Sequence, residues 1–330
     1  MIVRKASYYD EFRCIGGSCT DSCCKEWAVQ IDDKTAAYYR SLAGPLGDRL
    51  RSVLCEEDGE WVMRIENGRC PMWREDGLCR IQAELGEAAL SHTCREFPRI
   101  RHDYGDFIEL GLELSCPEAA RYILSPHEAA LCTKQSGGEE AEYDREVMET
   151  LLRSREVLRG LIFDNSYSIG QRFAVALLYG YHVQSVLDGG PEEEFNAAEA
   201  LAQAMDYASE ASTEPVLAFF SELEILSVDW ESRLMHPSGG VWHEGHIFLA
   251  EYFLDRYWLQ AASDCDLVCR VKFMLISCLA VRLLGGDILV TAQRYSKEIE
   301  NNMDNVEALL DAAYSCPAFT DDKLLGLLLR

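Results

Sequence analysis

Apolar residues recur at i, i+3 and i+4 through most of the second half of the chain, the spacing that lays one apolar stripe along a helix. YDREVMETLLRSREVLRGLIF, SIGQRFAVALLYGYHVQSVL, EEEFNAAEALAQAMDYA, EPVLAFFSELEIL, HIFLAEYFLDRYWLQAA, DLVCRVKFMLISCLAVRLL and the stretch from Ile288 to Leu310 all carry it. Asp188-Gly189-Gly190-Pro191 and Pro237-Ser238-Gly239-Gly240 punctuate the series, so the pattern predicts an all-α bundle. The front of the chain is less regular. IDDKTAAYYRSLAGPLGDRLRSVL has helical spacing behind a capping Asp32 or Asp33, with a break at Gly44-Pro45. EWVMRIENGRC alternates and ends in Asn67-Gly68, a favoured tight turn, and DFIELGLELSC alternates as well. Pro117 stands at a first helical position in CPEAARYIL. Residues 1–13 read as an extended lead-in, a turn or short helix is expected from Thr20 or Asp21, and 133–142, TKQSGGEEAE, reads as a linker.

Charge narrows the partners. Lys and Arg number 31 against 56 Asp and Glu, a net charge of −25. Through Gln135 the count is 17 against 23, and beyond it 14 against 33, so the second part carries −19 of the total. Nucleic acid needs clustered basic residues and is not expected as a partner. The acidic body either keeps the protein soluble or steers a cationic, lysine-bearing partner. The longest apolar runs, such as FMLISCLAV, are far short of a membrane span. MIVRKASYYD lacks the apolar core of a signal peptide. A cytoplasmic, reducing location with no membrane partner is therefore the expectation.

In that compartment persistent disulfides are rare, and the cysteines become informative. Ten of the fourteen lie at or before Cys132. Cys14, Cys19, Cys23 and Cys24 fall together in RCIGGSCTDSCCKEW; Cys70 and Cys79, Cys94, and Cys116 follow at intervals of nine, fifteen and twenty-two. Thiolates are soft ligands that select zinc, Cu(I) or iron–sulfur clusters. There is no CxxC in this region, against a pair of zinc knuckles. Cys19 and Cys23 give CxxxC, but Glu26 stands where a radical S-adenosylmethionine enzyme needs its third cysteine. Ligands gathered from scattered turns suit an iron–sulfur cluster at least as well as zinc. Cys265, Cys269, Cys278 and Cys316 sit on or near helices and read as small buried hydrophobes, and Cys55 and Cys132 as lone structural residues. The fold expected is mainly α: an irregular Cys-rich α+β metal-binding module over 1–132, a linker over 133–142, and an acidic α-helical domain over 143–330.

RCIGGSCTDSCCKEWAVQID, GRCPMWREDGLCRIQ, TCREFPR and LSCPEAARYIL together resemble the cysteine-rich signature of the flagellin lysine-N-methylase family, which is similar to that of small iron- or zinc-chelating domains. HEGHIFLAEYFLDRYW and RYSKEIENNMDNVEALLDA resemble that family's distal helical blocks. The resemblance implies methyl transfer from S-adenosylmethionine to flagellin lysines, with a bound [4Fe-4S] cluster or, alternatively, zinc. By position it assigns the metal to Cys14, Cys19, Cys23, Cys24, Cys70, Cys79, Cys94 and Cys116, more thiols than one cluster needs.

A lysine methylase must also present a neutral amine. Glu26, Glu96, Glu113, Glu244 and Tyr252 are candidates by neighbourhood, with Glu244 and Glu251 sharing a helix face that reads as solvated. Trp27, Trp73 and Trp242 are available to wall a sulfonium donor, though each also fits a core. His243 and His246, as HxxH, lack a third ligand and read as surface or core histidines. No Gly-rich strand–turn–helix is present, so a doubly wound donor site is not visible. Two readings without methylase activity share the fold: a metal-binding or electron-transfer protein docking a partner, and a structural zinc module.

Overall fold

A computed structural model describes residues 1–57, 59–128, 130–134, 141 and 143–330. The protein is mainly α, with fifteen α-helices and seven short strands among the described residues. The strands are β1 (Ile2–Lys5), β2 (Val29–Ile31), β3 (Leu54–Glu57), β4 (Glu60–Met63), β5 (Arg99–Asp103), β6 (Phe107–Leu112) and β7 (Leu131–Lys134). They form two sheets, β5-β6-β1-β7 and β2-β4-β3.

The expected lead-in at residues 1–13 is in part a central strand. β1 pairs in parallel with β6 (Val3 opposite Ile108) and antiparallel with β7 (Val3 opposite Thr133). Four residues are too few to show a period, and their partners lie more than a hundred positions on, so no local signal marks them. Thr133 and Lys134, expected in the linker, belong to β7; residues 135–140 and 142 of that linker lie outside the described residues.

Between β1 and β5 the chain leaves to build a small lobe with its own core of Val29, Ile31, Tyr39, Leu50, Met63, Met72, Ile81 and neighbours. Its first helix, Asp33–Ser41, starts as expected at Asp32, whose carboxylate accepts from Thr35 N at 3.0 Å and also from His92 N at 3.0 Å. One aspartate therefore caps its own helix and takes the first N–H of the helix His92–Glu96, which Ser91 caps, so it ties the two helix starts together. The helix ends before Gly44-Pro45, which open the next helix, Gly44–Val53. Asn67 and Gly68 take the positive φ values, 53° and 70°, of the expected tight turn.

The large core is continuous across the rest. Phe12, Phe107, Leu112, Leu114 and the helix Pro117–Ile123 pack in the same buried cluster as helices Arg145–Phe163, Ile169–Leu187, Gly245–Tyr257 and Val268–Leu284. Asp144 caps the first of these and Ser168 with Gln171 forms a capping box on the second. Gly180 lets the second approach Val268–Leu284, because a Cβ there would stand 2.6 Å from Val271 Cγ1. No helix among the described residues is long and apolar enough to cross a membrane.

Candidate metal centre

The eight cysteines expected from sequence come from five segments that converge beside the seam between the lobe and the large core. Cys14 and Cys19 flank a 3-10 turn at Gly16–Ser18, and Cys23 and Cys24 follow in irregular turns. Cys70 succeeds the Asn67-Gly68 turn, and its N–H donates to Cys24 O at 2.8 Å. Cys79 and Cys116 occupy the cap positions of helices Arg80–Leu85 and Pro117–Ile123, and Cys94 lies in the short helix His92–Glu96. No secondary-structure period links such positions; turns and helix starts place them.

Electrostatics records which thiols are neighbours. Cys24 contacts both Cys23 and Cys70, with Cys79 nearby. Cys94 senses Cys79 and Cys23; Cys19 senses Cys14 and Cys23; Cys116 senses Cys19 and Cys23. The eight therefore form one connected set centred on Cys23. Its thiol is raised well above the usual range, first by the hydrogen bond with Cys24 and then by burial. Burial pushes Cys94 to about 11 and Cys116 to about 12. Cys14, Cys23 and Cys94 are nonetheless exposed at the surface. A thiol reached by solvent but ringed by protein lies in a recess. Among the described residues, no three His, Cys, Asp or Glu side chains are grouped closely enough to hold a metal ion as they stand. The donor chemistry fits a thiophilic centre, whereas the spacing leaves the shell unclosed.

A helix from far along the chain holds the recess in place. Lys297, on Ile288–Ile299, donates to Asp21 Oδ2 at 2.8 Å and Ser22 O at 3.0 Å, and lies 3.3 Å from Glu26. Gln293 donates to Ser115 O at 2.7 Å and Asp21 at 3.3 Å, and Arg294 pairs with Glu26. Lys297 is 2% exposed and Asp21 10%. Burial alone would raise the Asp21 carboxyl; Lys297 more than offsets this and holds it well below the usual range. Glu26 adopts φ 70° between its two cationic partners. The sequence reading missed this clamp. Its trace is RYSKEIE, a charged run in which every residue but the half-buried Arg294 is buried.

The expected proton acceptors fare differently. Glu26 is occupied by Arg294 and Lys297, and Glu96 pairs with Arg95. Glu244 is exposed. Tyr252 is buried, donates to Glu300 at 3.0 Å, and has a pKa raised well above the usual by burial. Glu113 differs: burial raises its pKa, its carboxylate accepts from Ser115 Oγ at 3.3 Å and lies 4.0 Å from Arg256, and its main-chain carbonyl accepts from Cys116 N at 3.3 Å, so its backbone adjoins the thiol set. Glu251 does not lie on a solvated face. It is 13% exposed and pairs with Arg159 and His127. Trp27 and Trp73 flank the recess, Trp27 donating to Cys23 O at 2.9 Å and Trp73 stacked under Arg69 at 4.0 Å. Trp242 lies elsewhere, bonded to Leu328 O. His246 is buried and His243 exposed, and Cys269 and Cys278 are buried as expected. Cys132 is exposed on β7.

Over 142 residues the chain is 35% identical to the flagellar biosynthetic protein FliU of Salmonella muenchen, a match covering 41% of this chain and 84% of that protein. Over 141 residues it is 33% identical to the lysine-N-methylases of Salmonella typhimurium and Salmonella choleraesuis, again over 41% of this chain. The match spans 35% of the length of each methylase. No family model matches the chain, and no solved structure does.

Proposed function

Because the chain belongs to the flagellin lysine-N-methylase family, we propose that it is a protein-lysine N-methyltransferase acting on flagellin, with S-adenosylmethionine as donor and a Cys-ligated [4Fe-4S] cluster. The observation that supports methyl transfer is the 33% identity to two lysine-N-methylases over 41% of this chain, and the likeness to FliU supports a flagellar substrate. In the transfer, the lone pair of a neutral lysine amine forms the N–C bond as the donor's C–S bond breaks. The electron pair stays on sulfur, and the proton lost from nitrogen passes to a base or to water. Glu113, half-buried and with a raised pKa, is the expected carboxylate best suited to accept it. The acidic helical part supports attraction of a lysine-bearing protein surface.

What supports the cluster is the chemistry of the donor set: eight thiols, centred on Cys23, beside a recess open to solvent. When bound, such a centre supplies a fixed positive charge to the thiolates and cross-links the segments that carry them. The deciding experiment incubates the anaerobically purified chain with S-adenosylmethionine, reductant and flagellin, and reads flagellin by mass spectrometry. Increments of one CH2 on lysines are expected, from a brown protein that dithionite bleaches. A colourless protein with stoichiometric zinc overturns the iron–sulfur assignment, and metal-loaded protein that leaves flagellin unmodified overturns the methylase.

A further inference from the structure

A cavity of about 390 Å³ lies between strands β1 and β6 and helices Arg145–Phe163 and Gly245–Tyr257, a size typical of small-molecule sites. Its lining is unusually charged, with five Arg or Lys and five Asp or Glu side chains among the described residues. Most are paired. Arg155 grips Glu109 through bonds of 2.9 and 2.7 Å, Arg159 bridges Glu251 and Asp255, and His127 Nε2 lies 3.3 Å from Glu251.

Three nitrogens are not. His102 Nε2, Arg155 Nε and Arg256 Nη1 are buried without a hydrogen-bond partner among the described residues, and all three residues line this cavity. Arg155 is 4% exposed, and its Nε stands 3.9 Å from Glu156, beyond hydrogen-bond length. The three residues come from three elements: β5 and the two helices. His102 is close enough to both guanidinium groups that, after burial, their charge lowers its pKa to about 4, so the imidazole is neutral. A buried guanidinium N–H without an acceptor carries its full desolvation cost. Two of them beside a neutral imidazole match the oxygens of a carboxylate.

We infer that this cavity binds a small zwitterion of the α-amino-acid type, with its carboxylate between Arg155, Arg256 and His102 and its ammonium toward Glu251 and Asp255. The balanced charge of the lining suits a ligand carrying both signs. Both acidic side chains keep free lone pairs for an ammonium after pairing with Arg159. Tyr8, His127 and Phe248 form an aromatic flank, with ring centroids 4.9 and 5.7 Å apart in sequence, of the kind that favours a sulfonium or other soft cation. The methyl donor of the proposed reaction has this charge pattern at its amino-acid end. That identification rests on the proposed function; the carboxylate seat does not.

Calorimetry on the full, anaerobically purified chain tests it with three probes: S-adenosylhomocysteine, methylthioadenosine (the same nucleoside thioether without the amino-acid end) and methionine. S-adenosylhomocysteine is expected to bind about tenfold or more tightly than methylthioadenosine, the effect of a charge-assisted contact. His102→Leu and Arg256→Lys are each expected to erase that difference and to leave methylthioadenosine binding unchanged. His102→Leu removes no hydrogen bond made by Nε2, so its melting curve provides a folded control if Arg256→Lys fails to fold. Equal binding of the two nucleosides, S-adenosylhomocysteine binding untouched by His102→Leu, or no binding of any probe overturns the inference. If flagellin is methylated while His102→Leu leaves binding unchanged, the seat falls and the methylase stands. If methionine alone binds, through His102, in a chain that does not methylate, the seat stands and the donor assignment falls.

Discussion

The helix Val268–Leu284 and the segment Cys14–Ala28 are similar in length and opposite in construction. Nearly every residue of the helix is buried, including Arg270 and Lys272, the latter with its Nζ 2.7 Å from Asp321 and bonded to two carbonyls. No residue of the segment is buried. Apolar area fixes the helix, whereas reaching contacts fix the segment: Lys297, Arg294 and Gln293 from one side and Cys70 N from the other. Damage to the helix costs global stability. Damage to the segment's partners loosens one locality and alters what its thiols can hold.

The largest effect is expected in the helix. Phe273→Ala, at a fully buried site, costs about 3–5 kcal/mol in denaturant unfolding, while metal bound per folded molecule stays constant. Lys297→Met leaves Asp21 and Glu26 short of a buried cation and costs about 3 kcal/mol. Its signature is local: faster hydrogen exchange at residues 14–28 and lower metal content, with the helix Val268–Leu284 still protected. A wild-type exchange pattern in that variant would show that the segment stands without its clamp.

A third prediction concerns acid. Burial lowers His246 to about 4 from an ordinary 6.5. The folded protein therefore binds fewer protons than the unfolded chain between those values, and stability is lost as pH falls from 6.5 towards 4. His246→Gln is expected to remove about 2 kcal/mol of that loss, read as the difference between the two proteins' unfolding free energies at pH 7 and pH 4.5. Asp21, with its lowered pKa, adds a further loss below 3.8. The smallest effect belongs to Cys132→Ser on exposed β7: within about 0.5 kcal/mol, and no change in metal content. Cys24→Ser, by contrast, is expected to lower metal content.

The elements legible in the sequence were those with a local cause. Asp32, Asp144 and Ser168 cap helices that their own periodicity announces, and Asn67-Gly68 adopts the backbone its residue types favour. β1 and β7 were not legible, because each is four residues long and meaningful only through the other. The concentration of cysteines at the front of the chain could be read from composition, but which thiol neighbours which could not. Nothing in KEIE marks Lys297 as the partner of Asp21 until the helix is laid against the loop. Likewise Glu251 looked solvated because its partners Arg159 and His127 come from other segments.

The Asp21–Lys297 contact also sets a timetable. Its two ends are 276 residues apart, and at 5–20 residues per second a ribosome needs roughly 14–55 s to make what lies between. Throughout that interval the cysteine segment exists and its clamp does not. The thiols wait on an open loop, and the recess acquires its final shape only once Lys297 has been made.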